Sequence, residues 1–209
     1  SVASAAKQEI EDADGEEART NMGEKTGISW TSHTLNAWHG CTKVSEACRN
    51  CYAEAMDKRV GGRNWGADAP RRFFGDKHWN QPVRWNRLAE AAGRRARVFC
   101  SSMADVFERH RRDDINEQMD AARAKLWLLI DSTPWLDWQL LTKRPENIAE
   151  MLPPAWLDAP RPNVWLGTTA ENQETLNLRA HVLCAVPAVV HFLSVEPLLG
   201  PLDVSEALW

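Results

Sequence analysis

Beyond residue 25 the chain alternates between short apolar runs and longer amphipathic stretches, and the apolar runs share one plan. RVFCSSMADVF (97–107), LDWQLLTKRPENI (136–148), NVWLGTTAENQ (163–173) and VVHFLSVEPLL (189–199) each open with consecutive apolar residues and close in a polar cluster. An apolar run of that length suits a strand buried on both faces. Between the runs, INEQMDAARAKLWLLIDS (115–132) and NQETLNLRAHVLCAV (172–186) carry the spacing of helices. The corresponding points Cys100, Leu141, Gly167 and Ser194 lie 41, 26 and 27 residues apart. That rhythm predicts successive βα units of a parallel sheet. The segments match in pattern and not in residues, so it is not a sequence repeat.

In a parallel βα array the loops that follow the strands emerge on one side, which is where ligands bind in barrels and open sheets alike. The polar clusters fall at those positions: Ser101, Ser102 and Asp105; Thr142, Lys143 and Arg144; Thr168, Thr169 and Glu171; Ser194 and Glu196. Singly, each reads as a helix cap or loop residue, and Asp105 and Thr169 are best read that way. Four clusters on one rim argue for a binding site.

Ahead of these units, GCTKVSEACRNCYAEAM (40–56) packs three of the five cysteines into eleven residues with the spacing C-x6-C-x2-C. It follows GISWTSHTLNAWHGC and leads into a helical pattern, so it reads as the first βα loop, on the same rim. Three readings compete for Cys41, Cys48 and Cys51. They hold three irons of a [4Fe-4S] cluster and leave the fourth iron open to S-adenosylmethionine (SAM); or His39 joins them around a structural zinc; or they are small buried hydrophobes. Thr42, Lys43, Ser45, Glu46, Arg49 and Asn50 mark the segment as a loop and count against the third. Cys100 and Cys184 lie in apolar surroundings and read as core.

Composition changes this picture little. The chain is 44% hydrophobic and 26% charged, as globular chains are. Residues 1–25 hold seven acids and three bases, so residues 26–209 balance at 22 of each and the net charge of -4 belongs to the leader. That leader, poor in large apolar residues, is expected to be disordered; residues 26–209 form one domain. No apolar run approaches the roughly 18 residues of a membrane span, and residues 1–20 lack the basic start and apolar core of a signal peptide. A reducing cytoplasm is therefore expected, where clustered cysteines bind metals more often than they cross-link.

Together, WHGCTKVSEACRNCYAEAMDKR, VFCSSMADVF, WQLLTKRPENI, NVWLGTTAENQ and HFLSVEPLLGPLD resemble the three-Cys-motif family of phage and bacterial proteins, over about residues 26–206. That family is read as divergent relatives of the radical SAM enzymes, whose core is a partial (β/α)6 barrel with the cluster loop after its first strand. The resemblance implies a partial (β/α) barrel of parallel strands. It implies Cys41, Cys48 and Cys51 as ligands of a [4Fe-4S] cluster, and Ser102, Lys143, Thr168, Glu171 and Glu196 lining a cleft for SAM and substrate. It also implies an external electron donor and, from the phage context, a nucleotide or nucleic-acid substrate in the cytoplasm of a bacterial host.

The sequence departs from the common radical SAM loop in two ways. The first gap is six residues, not three, and the aromatic before the last cysteine is replaced by Asn50, with Tyr52 following instead. Five strands are visible, one short of six, so the barrel is expected to lack its last strand and a protein partner to complete the sheet edge.

Arg84, Arg87, Arg94, Arg95, Arg97, Arg109, Arg111 and Arg112, with Trp79 and Trp85, either hold phosphates and stack bases or form a solvated face offset by Glu90, Glu108, Asp113 and Asp114. Among eleven tryptophans, Trp127 and Trp138 read as core and Trp30, Trp38 and Trp65 as a shield for a cluster. A zinc-stabilised, non-catalytic nucleic-acid-binding protein and a degenerate barrel without activity are the competing functional readings.

Overall fold

The computed structural model describes residues 26–205; the acidic leader lies outside them. Five strands form one parallel sheet: β1 (His33–Thr34), β4 (Ala96–Cys100), β5 (Leu136–Thr142), β6 (Val164–Thr169) and β7 (Val190–Ser194), in spatial order β1-β4-β5-β6-β7. Each predicted run supplies one strand, and β1 supplies the strand expected before the cysteines. Two short strands form a separate antiparallel pair, β2 (Trp38–His39) and β3 (Arg72–Phe73). The pair was not legible as strands because each is two residues long.

The crossovers are helical: α1 (Tyr52–Arg59), α2 (Asp76–Trp79) and α3 (Gln81–Ala91) between β1 and β4, α4 (Asp113–Asp131) between β4 and β5, α5 (Ile148–Met151) and α6 (Pro154–Asp158) between β5 and β6, and α7 (Gln173–Cys184) between β6 and β7. Two helices show why they start where they do. Asp113 and Asp114 occupy the first turn of α4, where carboxylates face the positive end of the helix dipole. Asn172 caps α7 in a reciprocal box, its side chain accepting from the Thr175 amide at 3.0 Å while Thr175 Oγ1 accepts from the Asn172 amide at 3.1 Å.

The core lies between the sheet and these helices. Leu136, Trp138 and Leu140 of β5 and Leu166 of β6 pack with Met119, Leu126 and Ile130 of α4, all at most 1% exposed. Trp85, read as a base-stacking candidate, is buried and stacks on His33 with ring centroids 4.3 Å apart. Trp79 is buried too, so neither presents a face to a nucleic acid. Trp38, grouped with the cluster shield, belongs to the core and lies under the Arg123 guanidinium. Cys100 is buried as expected, but Cys184, the last residue of α7, is exposed, because the helix ends there and no further turn covers it.

The sheet is open. Among the described residues β1 and β7 each pair on one side only, and Val189, Val195, Leu198 and Leu199 lie exposed around β7. No helix of the described residues is long and apolar enough to cross a membrane.

Candidate functional site

The cysteine loop follows β1 and is fastened to the ends of the other strands. Asn36 Nδ2 donates to Ser102 Oγ at 3.2 Å, and Asn36 Oδ1 accepts from the Met103 amide at 2.7 Å. Further on, the Gly40 amide donates to the Met103 carbonyl at 2.9 Å. Gly40 has φ +115°, and a Cβ there would run into the Asn64 carbonyl oxygen and the Arg71 side chain. Only glycine delivers Cys41 from this position without strain. Gly40→Ala is expected to destabilise the fold by about 2 kcal/mol, read as a lower urea midpoint; an unchanged midpoint would refute the crowding.

The residue after Cys41 is held by every polar group it has. The Thr42 amide donates to Glu108 Oε1 (2.8 Å), its hydroxyl accepts from Arg71 Nη2 (2.9 Å) and its carbonyl accepts from Arg144 Nη2 (2.6 Å). These partners form one buried network. Arg71 grips Glu108 with two nitrogens, at 3.0 and 2.7 Å, both side chains fully buried. Arg144 Nη1 meets Asp105 Oδ2 at 2.7 Å, and Asp105 in turn accepts from Thr142 Oγ1 and from the amides of Phe107 and Lys143. Asp105, read from sequence as a cap or loop residue, is therefore a buried strut between the ends of β4 and β5.

A second strut holds the other side of the loop. Ser45 Oγ donates to Glu171 Oε1 at 2.7 Å and lies 3.7 Å from Cys48 Sγ, while Arg179 Nη1 binds Glu171 Oε2 at 2.9 Å. Glu171 is 1% exposed. Burial alone would raise its pKa, but the Ser45 and Arg179 contacts outweigh it and hold the carboxyl below the usual range.

The two struts frame a cavity of about 460 Å³ at the carboxyl ends of the strands. Cys41, Cys48 and Cys51 all reach it, and none forms a disulfide. Of the residues expected to line the cleft, Ser102, Lys143 and Glu196 do so. Thr168 and Glu171 do not: Thr168 is fully buried with its hydroxyl donating to the Thr142 carbonyl at 2.8 Å, and Glu171 serves the loop. Thr169 reaches the cavity instead and accepts from Lys143 Nζ at 3.3 Å. The rest of the wall is largely apolar and includes Ile28, Trp30, Trp65 and Phe99. His39 is not part of it and packs edge-on against Phe74.

The thiols differ electrostatically. Burial, reinforced by Glu108, pushes the Cys41 thiol up to about 12, with Arg144 pulling the other way. For Cys48 burial also acts upward, yet hydrogen bonds from the Val44 and Ser45 backbone, the Ser45 hydroxyl and the Lys143 charge outweigh it and set the thiol below its ordinary value. Tyr52, beside Cys51, donates its hydroxyl to the Ser102 carbonyl at 2.8 Å, and burial pushes the phenol up to about 12. Among the described residues, no three His, Cys, Asp or Glu side chains stand close enough together to hold one metal ion.

The arginine-rich segments lie apart from this cavity. Arg95 pairs with Asp137, Arg109 with Glu150, Arg111 with Asp68 and Arg112 with Asp114; of the acids expected to offset them only Asp114 takes part in these pairs, and the other three partners lie more than 40 residues along the chain.

A family model described as "Protein of unknown function (DUF5131)" matches residues 25–209. The chain belongs to that family. The match covers the cysteine loop and all five sheet strands together. No curated protein matches the chain. Among solved structures, two mutants of spore photoproduct lyase share its fold, each at 13% identity, with TM-scores of 0.53 and 0.54 over 83% and 84% of this chain. The chain spans about half the length of those structures, 48% and 49%. The expected α/β fold of parallel strands, read as a partial (β/α) barrel, is met by a five-stranded parallel sheet that does not close among the described residues, and the identity is low enough that the likeness to these structures concerns fold alone.

Proposed function

We propose that the chain is a radical SAM-type enzyme whose Cys41, Cys48 and Cys51 hold a [4Fe-4S] cluster and whose cavity binds SAM and part of a nucleotide or nucleic-acid substrate. The observation that carries this reading is the meeting of three free cysteines in one cavity at the strand ends, on a fold shared with spore photoproduct lyase. Three thiolates suit iron–sulfur chemistry, and a set of three leaves one iron of a four-iron centre unligated by protein. When bound, such a cluster supplies one electron for reductive cleavage of SAM and so a carbon radical that can remove hydrogen from an unactivated position.

The protein's own residues hold and enclose. Lys143, tethered only to a neutral hydroxyl in the contacts above, would meet a carboxylate or phosphate; Ser102 and Thr169 would add hydroxyl contacts. Glu196 would face an amine or ribose. Ile28, Trp30, Trp65 and Phe99 keep water from the reacting carbon, which matters because a primary radical must be shielded. The electron comes from an external donor. A cytoplasmic setting, a phage origin and a partner pairing with the open edge of β7 belong to the same proposal.

The zinc reading has less support. A single zinc ion gathers four donors onto one centre, whereas His39 packs against Phe74 and, among the described residues, no three donors converge to that degree. A cluster spreads its thiolates over three irons and tolerates the wider set.

Anaerobic reconstitution with iron and sulfide tests the proposal. The expected result is about four irons per chain, a brown protein whose absorption changes on adding SAM, and deoxyadenosine on reduction. A Lys143→Met variant should keep the iron and weaken the SAM response at least tenfold. A colourless protein with one zinc, indifferent to SAM, would overturn the enzyme reading; a folded chain with neither metal would mark a barrel without activity.

A further inference from the structure

Arg144 stands between the ion-pair network and the cysteine loop, and nothing in the reading so far gives it a part in the chemistry. Its Nη1 lies 3.7 Å from Cys41 Sγ and 2.7 Å from Asp105 Oδ2, its Nη2 donates to the Thr42 carbonyl at 2.6 Å, and Glu108 Oε1 is 3.8 Å away. The guanidinium is therefore fixed on three sides. Thr142 Oγ1 completes the frame by accepting from the Arg144 amide at 2.9 Å while donating to Asp105. The side chain is 8% exposed, so its charge acts through a medium much less screening than water.

From this geometry, and resting on the cluster reading above, we propose that Arg144 is a positioning residue that sets the reduction potential of the centre bound by Cys41, with Asp105 as its counterweight. A cationic donor on a ligating sulfur stabilises the more negative, reduced centre, and hydrogen bonds to sulfur are among the levers that set such potentials. The network carries two arginines, Arg71 and Arg144, against two carboxylates, Asp105 and Glu108. Removing one charge from either side leaves the opposite sign uncompensated beside Cys41. The two removals must therefore move the potential in opposite directions, which loss of packing alone would not do.

The test is a spectroelectrochemical titration of reconstituted full-length protein, wild type against Arg144→Gln, Arg144→Lys and Asp105→Asn, with iron content and thermal melting recorded for each. The expected result is a more negative midpoint in Arg144→Gln, a more positive one in Asp105→Asn, and a smaller negative shift in Arg144→Lys, which keeps the charge and loses the planar fork. Should Arg144→Gln fail to fold or lose its iron, the Lys variant and Asp105→Asn carry the comparison. Wild-type midpoints in the variants, or shifts of one sign, would overturn the tuning role while leaving the cluster reading intact. Failure of the wild type to assemble a cluster would remove both together.

Discussion

Single replacement of Cys41, Cys48 or Cys51 by alanine is expected to take reconstituted iron from about four per chain to near zero, whereas Cys100→Ala, Cys184→Ala and His39→Ala leave it unchanged. The contrast follows from position. The first three side chains open into one cavity, Cys100 is sealed in the sheet, Cys184 lies exposed at the end of α7, and His39 faces Phe74. Iron and acid-labile sulfide, measured with the absorption spectrum, decide it. Loss of metal in His39→Ala would return the fourth ligand to histidine and favour zinc; persistence of four irons in any of the three cysteine variants would remove that residue from the site.

Glu108→Ala should be among the most destabilising substitutions in the chain. Its carboxylate is fully buried, takes two bonds from Arg71 and one from the Thr42 amide, and its loss leaves a buried guanidinium without its main counter-charge. Removing one partner of such a pair costs about 3–5 kcal/mol, which for a domain of this size corresponds to a fall in melting temperature of about 10 °C. The control is Arg109→Ala, which breaks an exposed pair with Glu150 and should cost at most about 1 kcal/mol. Replacing Arg71 and Glu108 together by Met and Leu should recover much of the loss. Equal melting temperatures for Glu108→Ala and Arg109→Ala would show that the buried pair does not hold the fold.

That same pair marks where the sequence stopped being readable. Strands and the rim were legible because apolar runs and strand-end polar residues are local signals: of the four rhythm points, Cys100 and Ser194 are the last residues of their strands, Leu141 is one residue short of its strand's end and Gly167 two. Glu108 was read with the arginines next to it, yet its partner is Arg71, 37 residues away. Charge patterning along the chain carries no mark of such a long-range pair; the one local hint was that Glu108 directly follows the apolar pair Val106 and Phe107, both fully buried. Thr168 and Thr169 posed a related difficulty. Adjacent strand residues point to opposite faces, so of two threonines one enters the cavity and the other does not, and composition cannot say which. Glu171 was placed on the rim from its distance past the strand; its partners Ser45 and Arg179 turned it inward.

The struts on Thr42 and Ser45 are made wholly of protein groups, so the contacts that hold the cysteine loop in shape include no metal. Small zinc domains gain their fold from the ion and lose it to chelators; on the cluster proposal, scaffold and inorganic centre would be separate affairs in this chain. A centre destroyed by oxygen would leave behind a standing, correctly shaped socket, and repair would be a matter of resupplying iron and sulfide rather than of refolding the chain.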